Sequence, residues 1–89
     1  MSVIIRTHPF LRRFLGGIEE VEVEGKTVGE CLQSLEDKFP GFKLQVLQND
    51  RLRGYIEIYV NEESAYPQDL DKPVKDGDVV TIVTYISGG

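Results

Sequence analysis

Two stretches of the chain alternate apolar and polar residues, and a third repeats with the period of a helix. In IEEVEVE, residues 18–24, Val21 and Val23 alternate with Glu20, Glu22 and Glu24, which predicts a strand with one buried face and one wet face. In YIEIYV, residues 55–60, Ile56, Ile58 and Val60 point inward and Tyr55, Glu57 and Tyr59 outward by the same rule. The β-branched run SVIIRT at 2–7 supplies a partner for the first strand. The intervening HPFLRRFLGG holds a proline and the Gly16-Gly17 pair, so the two strands are expected to form a hairpin with a long, turn-closed connection.

The helical stretch is VGECLQSLEDKF. Val28, Leu32, Leu35 and Phe39 recur at spacings of four, three and four, which aligns them as one stripe with Cys31 beside it and Gln33, Glu36 and Asp37 turned away. TVGE at 27–30 reads as a capping box, in which the Thr27 hydroxyl accepts from the Glu30 amide while Glu30 reaches back. PGF at 40–42 closes the helix, because proline cannot continue it and Gly41 can take a left-handed turn. KLQVLQNDRLRG, 43–54, has Leu44 and Leu47 as anchors but no sustained period; it is expected to be an irregular connection with at most one helical turn.

NEES predicts a turn into a short edge strand near Ala65 and Tyr66, Pro67 and Pro73 bracket a further loop, and KDGD is a turn signal. VVTIVTYI, 79–86, is apolar on both alternating faces: Val80, Ile82 and Ile86 on one, Val79, Val83 and Tyr85 on the other. Such a strand belongs in the middle of its sheet. The order β, β, α, β, short β, β is that of an α+β roll, a mixed sheet of four to five strands covered by one main helix. A single helix crossing a hairpin beside a central C-terminal strand is the β-grasp arrangement of ubiquitin.

At 89 residues the chain suits one domain. Its 40% hydrophobic and 28% charged residues describe a globule with an aliphatic core. A net charge of -5 opposes non-specific nucleic-acid binding, which needs clustered Lys and Arg to release counterions. No stretch approaches the ~20 apolar residues of a membrane span, and the N-terminal apolar run is short for a signal peptide. A cytoplasmic protein is expected, without a nucleic-acid or membrane partner.

Cys31 is the sole cysteine, which leaves no internal disulfide and no zinc site built on several thiolates; its place beside the stripe makes it a small buried hydrophobe. His8 has no second His or nearby Cys and reads as a loop residue next to Pro9. Asp76-Gly77-Asp78 lacks the later ligands of a calcium loop and reads as a turn. Arg12 and Arg13 sit among Phe10, Leu11, Phe14 and Leu15, a mixture that suits partner docking and equally suits apolar residues folding under the sheet beneath solvated arginines. The outward Tyr55, Glu57 and Tyr59 suit an interface or cross-strand pairing.

The sequence closes on Ser87, Gly88 and Gly89. Glycine gains a fold no stability in such a place, so residues 1–86 are read as the domain and 87–89 as a tail serving chemistry. The succession VEGKTVGECLQSLEDKFPGF, YIEIYVNEE, KDGDVVTIV and a final Gly-Gly resembles the ubiquitin-like sulfur carriers, the molybdopterin synthase small subunit and thiamine sulfur-carrier family, over nearly the whole chain. The resemblance implies a carrier that is not itself an enzyme. A ubiquitin-activating-like adenylyltransferase, using ATP and Mg, joins AMP to the Gly89 carboxylate; a sulfur donor converts the adenylate to a thiocarboxylate; and a sulfur-accepting synthase takes the sulfur for a cofactor or metabolite. It implies no cofactor or metal bound by the carrier itself. Gly88 is then a spacer, and Phe10, Phe14, Tyr55 and Tyr59 are candidates for docking. A ubiquitin-like modifier joined through Gly89 to target lysines needs the same activated end and is the alternative.

The residue choice also follows from the chemistry. Four residues, 86 to 89, reach at most ~14 Å when extended, enough to thread a narrow channel if nothing bulges from the backbone. A carboxylate is a poor electrophile, and phosphate esterification makes AMP the leaving group.

Overall fold

The computed structural model describes residues 2–85. Residues 86–89 lie outside it, and with them the inward position expected for Ile86 and the tail residues Ser87, Gly88 and Gly89. Strand β1 (Ser2–Thr7) pairs antiparallel with β2 (Glu20–Glu24), setting Val3 opposite Val23 and Ile5 opposite Val21. The hairpin connection carries a 3₁₀ helix, Pro9–Leu15, that the sequence pattern did not announce. Helix α1 (Val28–Lys38) follows, then α2 (Phe42–Val46), a two-residue hairpin of β3 (Leu47–Gln48) and β4 (Arg51–Leu52), β5 (Ile56–Val60), β6 (Glu63–Ser64), a 3₁₀ turn at Asp69–Asp71, and β7 (Val79–Thr84).

The five-stranded sheet has the order β2-β1-β7-β5-β6, so the last strand lies in the middle as expected. It runs parallel to β1 and antiparallel to β5, with Ile5 opposite Val80 and Ile58 opposite Ile82. Alternation puts Val3, Ile5, Val21, Val23, Ile58, Val80 and Ile82 on one face, where all are buried, against Val28, Cys31, Leu32 and Leu35 of α1. This is the α+β, β-grasp arrangement. Phe39 stands just past the last turn of α1 and is half-buried, a flank of the core. The second apolar face of β7 is not sealed: Val79 and Val83 are half-buried and Tyr85 is exposed.

Three expectations change in the structure. The Thr27 hydroxyl does accept from the Glu30 amide at 3.1 Å, but the Glu30 carboxylate takes the Lys26 amide at 2.9 Å, so the return bond falls one residue earlier than in the reciprocal box. Residues 43–54 are ordered into the end of α2 and the β3–β4 hairpin. Phe42 and Val46, one helical turn apart and both fully buried, anchor that segment together with Leu47; Leu44, expected as an anchor, is 66% exposed. Its carbonyl is held by Arg53 through Nε at 3.1 Å and Nη2 at 2.9 Å, so the guanidinium replaces hydrophobic anchoring there. The edge strand comes slightly early, with buried Ala65 just after it and Tyr66 exposed.

Glycine has a specific task at the end of α1. Gly41 adopts φ +101°, a left-handed value that turns the chain from α1 into α2. The Glu36 carboxylate accepts from the Gly41 and Lys43 amides at 2.9 and 2.8 Å, and those bonds hold it below the usual carboxylate range. Glu36 is therefore a tie across this corner, where the helical period had placed it merely facing away.

Candidate functional site

The tail follows directly on β7, so the geometry that matters is what holds that strand. At its start, the Asp78 carboxylate accepts from the Lys75 amide at 2.8 Å and from Asn61 Nδ2 at 3.2 Å. Asn61 also exchanges bonds with Val79: its amide donates to the Val79 carbonyl at 2.6 Å, and its Oδ1 accepts the Val79 amide at 3.0 Å. Gly77, at φ +87°, forms the turn of Asp76-Gly77-Asp78, as expected. At the other end, the Ile82 carbonyl accepts from the His8 amide at 2.9 Å and the Tyr85 amide donates to the Tyr55 carbonyl at 2.7 Å. Strand β7 is thus gripped on both edges up to the residue before the tail.

Beside this exit lie tyrosines. Thr81 pairs with Tyr59, and two and four residues on, Val83 and Tyr85 share its face. The Tyr59 and Tyr85 hydroxyls stand 3.4 Å apart. A hydrogen bond to the Glu57 carboxylate, and then the bond to Tyr85, push the Tyr59 phenol above its ordinary pKa. Tyr59 accordingly stays neutral through the physiological range. Tyr55 and Tyr85 are 47% and 57% exposed and Tyr59 is half-buried. The structure therefore joins Tyr59 to Tyr85, which had been read as part of a strand face and not as a site residue. Parity along β7 carried the signal, since 81, 83 and 85 share the face of Glu57 and Tyr59.

Phe10 and Phe14 lie on the 3₁₀ helix, away from β5. Leu11 and Leu15 of that helix are buried, while the Arg13 guanidinium stacks on both rings, 4.4 Å from the Phe10 centroid and 5.9 Å from that of Phe14. Phe10 is exposed, Phe14 half-buried, and Arg12 reaches Glu19 at 3.7 Å. Both readings of this segment find their residues: two leucines fold under the sheet and an arginine-aromatic stack remains outside.

The remaining candidate chemistry is structural. His8 caps the 3₁₀ helix, its Nδ1 accepting the Phe10 amide at 3.1 Å. Cys31 is fully buried, and burial, followed by the charges of Glu30 and Glu24, pushes its thiol up to about 11. Among the described residues no group of three His, Cys, Asp or Glu side chains is placed to hold a metal ion. No helix among them is long and apolar enough to cross a membrane.

Comparison with known proteins agrees with this architecture. The ThiS family model matches residues 10–89. The sulfur carrier protein CysO of Mycobacterium tuberculosis is 30% identical over 93 aligned positions that span 100% of both chains. Among solved structures, the Amycolatopsis orientalis BexX/CysO complex has a chain that superposes with a TM-score of 0.92 at 34% identity, covering 98% of this chain and 99% of that one. The small archaeal modifier protein 1 of Methanosarcina acetivorans follows at a TM-score of 0.84 and 28% identity, covering 99% of this chain and 96% of that one. With a family match over residues 10–89 and a β-grasp sheet whose central strand leads into the Gly-Gly pair, the chain belongs to the ThiS family.

Proposed function

We propose that this protein is a sulfur carrier whose Gly89 carboxylate is the working group. The observation that carries the reading is the family match running through Gly89, together with full-length similarity to CysO sulfur carriers. Adenylylation comes first: a Gly89 carboxylate oxygen attacks the α-phosphorus of ATP on an activating enzyme and pyrophosphate leaves. A sulfur nucleophile then attacks the acyl carbon and AMP departs, leaving a thiocarboxylate. The carrier contributes no general acid or base to these steps. Its part is to present the tail from a strand held on both edges, with the fold as a handle for an adenylyltransferase and a sulfur-accepting synthase. Crystallisation of the BexX/CysO complex supports the partner-bound half of this cycle.

The decisive experiment is intact mass spectrometry of the protein recovered from its native host. The carrier reading expects a mass gain equal to replacement of one oxygen by sulfur at Gly89. The similarity to a small archaeal modifier protein supports a second reading, an isopeptide bond from Gly89 to target lysines. That reading expects ladders of the chain on other proteins and no thiocarboxylate.

A further inference from the structure

Strand β2 lies at the margin of the sheet, with β1 as its one neighbour. The even-numbered residues of β1 direct their backbone groups toward β7 and its approach: the Ile4 amide donates to the Asp78 carbonyl at 3.0 Å, and the Ser2 carbonyl accepts the Gly77 amide at 2.8 Å. Backbone groups of successive strand residues point to opposite edges. Val3 and Ile5 therefore serve β2, and their register partners Val23 and Val21 spend their backbone groups on β1. The amides and carbonyls of Glu20 and Glu22 are left pointing off the sheet.

The surroundings of this edge are strongly biased in charge. Glu19, Glu20, Glu22 and Glu24 follow within six residues. Arg6 offsets part of this, bridging Glu20 at 3.0 Å and Glu19 at 3.7 Å, while Glu22 accepts from the neutral Ser2 hydroxyl. On the helix side of the same strand runs a groove of about 520 Å³ whose wall includes Val23, Ser34, Asp37 and Lys38. The Ser34 hydroxyl donates to the Glu24 carbonyl at 2.6 Å, so α1 closes the far end of the edge.

A second copy of the chain does not suit this edge. Two β2 strands pairing antiparallel with their valines on a common face put Glu22 opposite Glu22 and Glu20 opposite Glu24, and like charges directly opposite are destabilising. We propose that the β2 edge is a docking site for an extended segment of a partner protein that carries Lys or Arg at alternate positions and adds antiparallel to β2 as a sixth strand. Its cationic residues sit across from Glu20 and Glu22 and share their face, and by that register their amides and carbonyls complete the ladder. The intervening small side chains face the groove beside α1. The site lies two strand spacings, about 10 Å, from β7, so its occupation leaves the tail exit open, and the proposal does not depend on the chemistry of Gly89.

The test is NMR titration of the ¹⁵N-labelled full chain with a capped synthetic peptide of alternating Lys and Val, beside the same peptide N-methylated at its lysine amides. Docking predicts shift changes and slowed hydrogen exchange at the Glu20 and Glu22 amides. It also predicts binding weaker by about tenfold or more for the methylated peptide, which keeps every charge but loses two or more ladder bonds. Glu22→Lys, a change at an exposed side chain, should weaken the Lys-Val peptide and favour a Glu-Val peptide, with the melting temperature confirming the fold. Equal binding of the methylated peptide would show charge attraction alone and overturn the proposal. So would shifts centred on Tyr59 and Tyr85, or no shift at millimolar peptide.

Discussion

A Cβ placed on Gly25 would stand 2.8 Å from both the backbone nitrogen and the sulfur of Cys31. The last turn of the hairpin and the first turn of α1 therefore meet with no room for a methyl group. Gly25→Ala should destabilise the fold by ~1–3 kcal/mol, the usual range for overpacking, read by chemical denaturation. Adding Cys31→Ala should restore only part of the loss, because the backbone nitrogen stays in place. Full rescue by the double variant would show that the sulfur alone sets the limit.

The same thiol gives a pH prediction. The folded state raises Cys31 to about 11, above the ordinary thiol value of 9.0, so it holds the proton more tightly than the unfolded chain does. Its contribution to stability is fully present below pH 9 and is lost as pH rises through about 11. Cys31→Ala should flatten that part of the stability profile. Alkylation of the wild-type thiol at neutral pH should be slow and should accelerate on adding denaturant.

The stripe of α1 tests the fold itself. Leu32 and Leu35 are fully buried against the sheet, so truncating either to alanine should cost ~2–5 kcal/mol. Equilibrium unfolding measures this directly, and a loss below ~1 kcal/mol at both positions would contradict their place in the core.

Partner recognition is tested at the tyrosines. Tyr59→Ala should weaken binding to the cognate activating enzyme with little change in melting temperature, since exposed aromatics act as hot spots. Tyr59→Phe removes the bonds to Glu57 and Tyr85 but keeps the ring, and separates apolar contact from orientation. Unchanged affinity in both variants would take this face out of the interface.

Tail chemistry should separate from stability. Deleting Gly89, or appending one residue after it, should abolish ATP–pyrophosphate exchange by the activating enzyme without altering the melting curve. Gly88→Val should impair exchange as well, because a β-branched side chain adds bulk and narrows the backbone angles where threading is required. A chain lacking both glycines that still accepts AMP would end the carrier reading.

What the sequence disclosed, and what it concealed, follows from the reach of each signal. Glu-Val alternation in β2, the stripe Val28, Leu32, Leu35 and the two-faced run of β7 are set by burial over several residues, and each came out where its period placed it. The stretch after Gly41 concealed its structure because Phe42, Val46 and Leu47 span less than two helical turns, too short to show a period, and because Arg53 does for Leu44 what burial was expected to do. Within the candidate site, the outward direction of Tyr55 and Tyr59 was legible from parity. The pairing of Tyr59 with Tyr85 was not, since it depends on the register between β5 and β7. Nor was the Arg13 stack, which needs the 3₁₀ geometry to bring Phe10 and Phe14 to one guanidinium.

The parallel pairing of β1 with β7 joins segments nearly a whole chain length apart. While a ribosome still holds the last strand, the middle of the sheet is missing and β1 has β2 as its one partner. Contacts so distant in sequence form late, and cannot begin before synthesis is nearly finished. The strand that completes the sheet is also the one that leads into Gly88 and Gly89. A prematurely terminated product therefore lacks the recognisable surface and the reactive end together, and an activating enzyme meets only chains that were made in full.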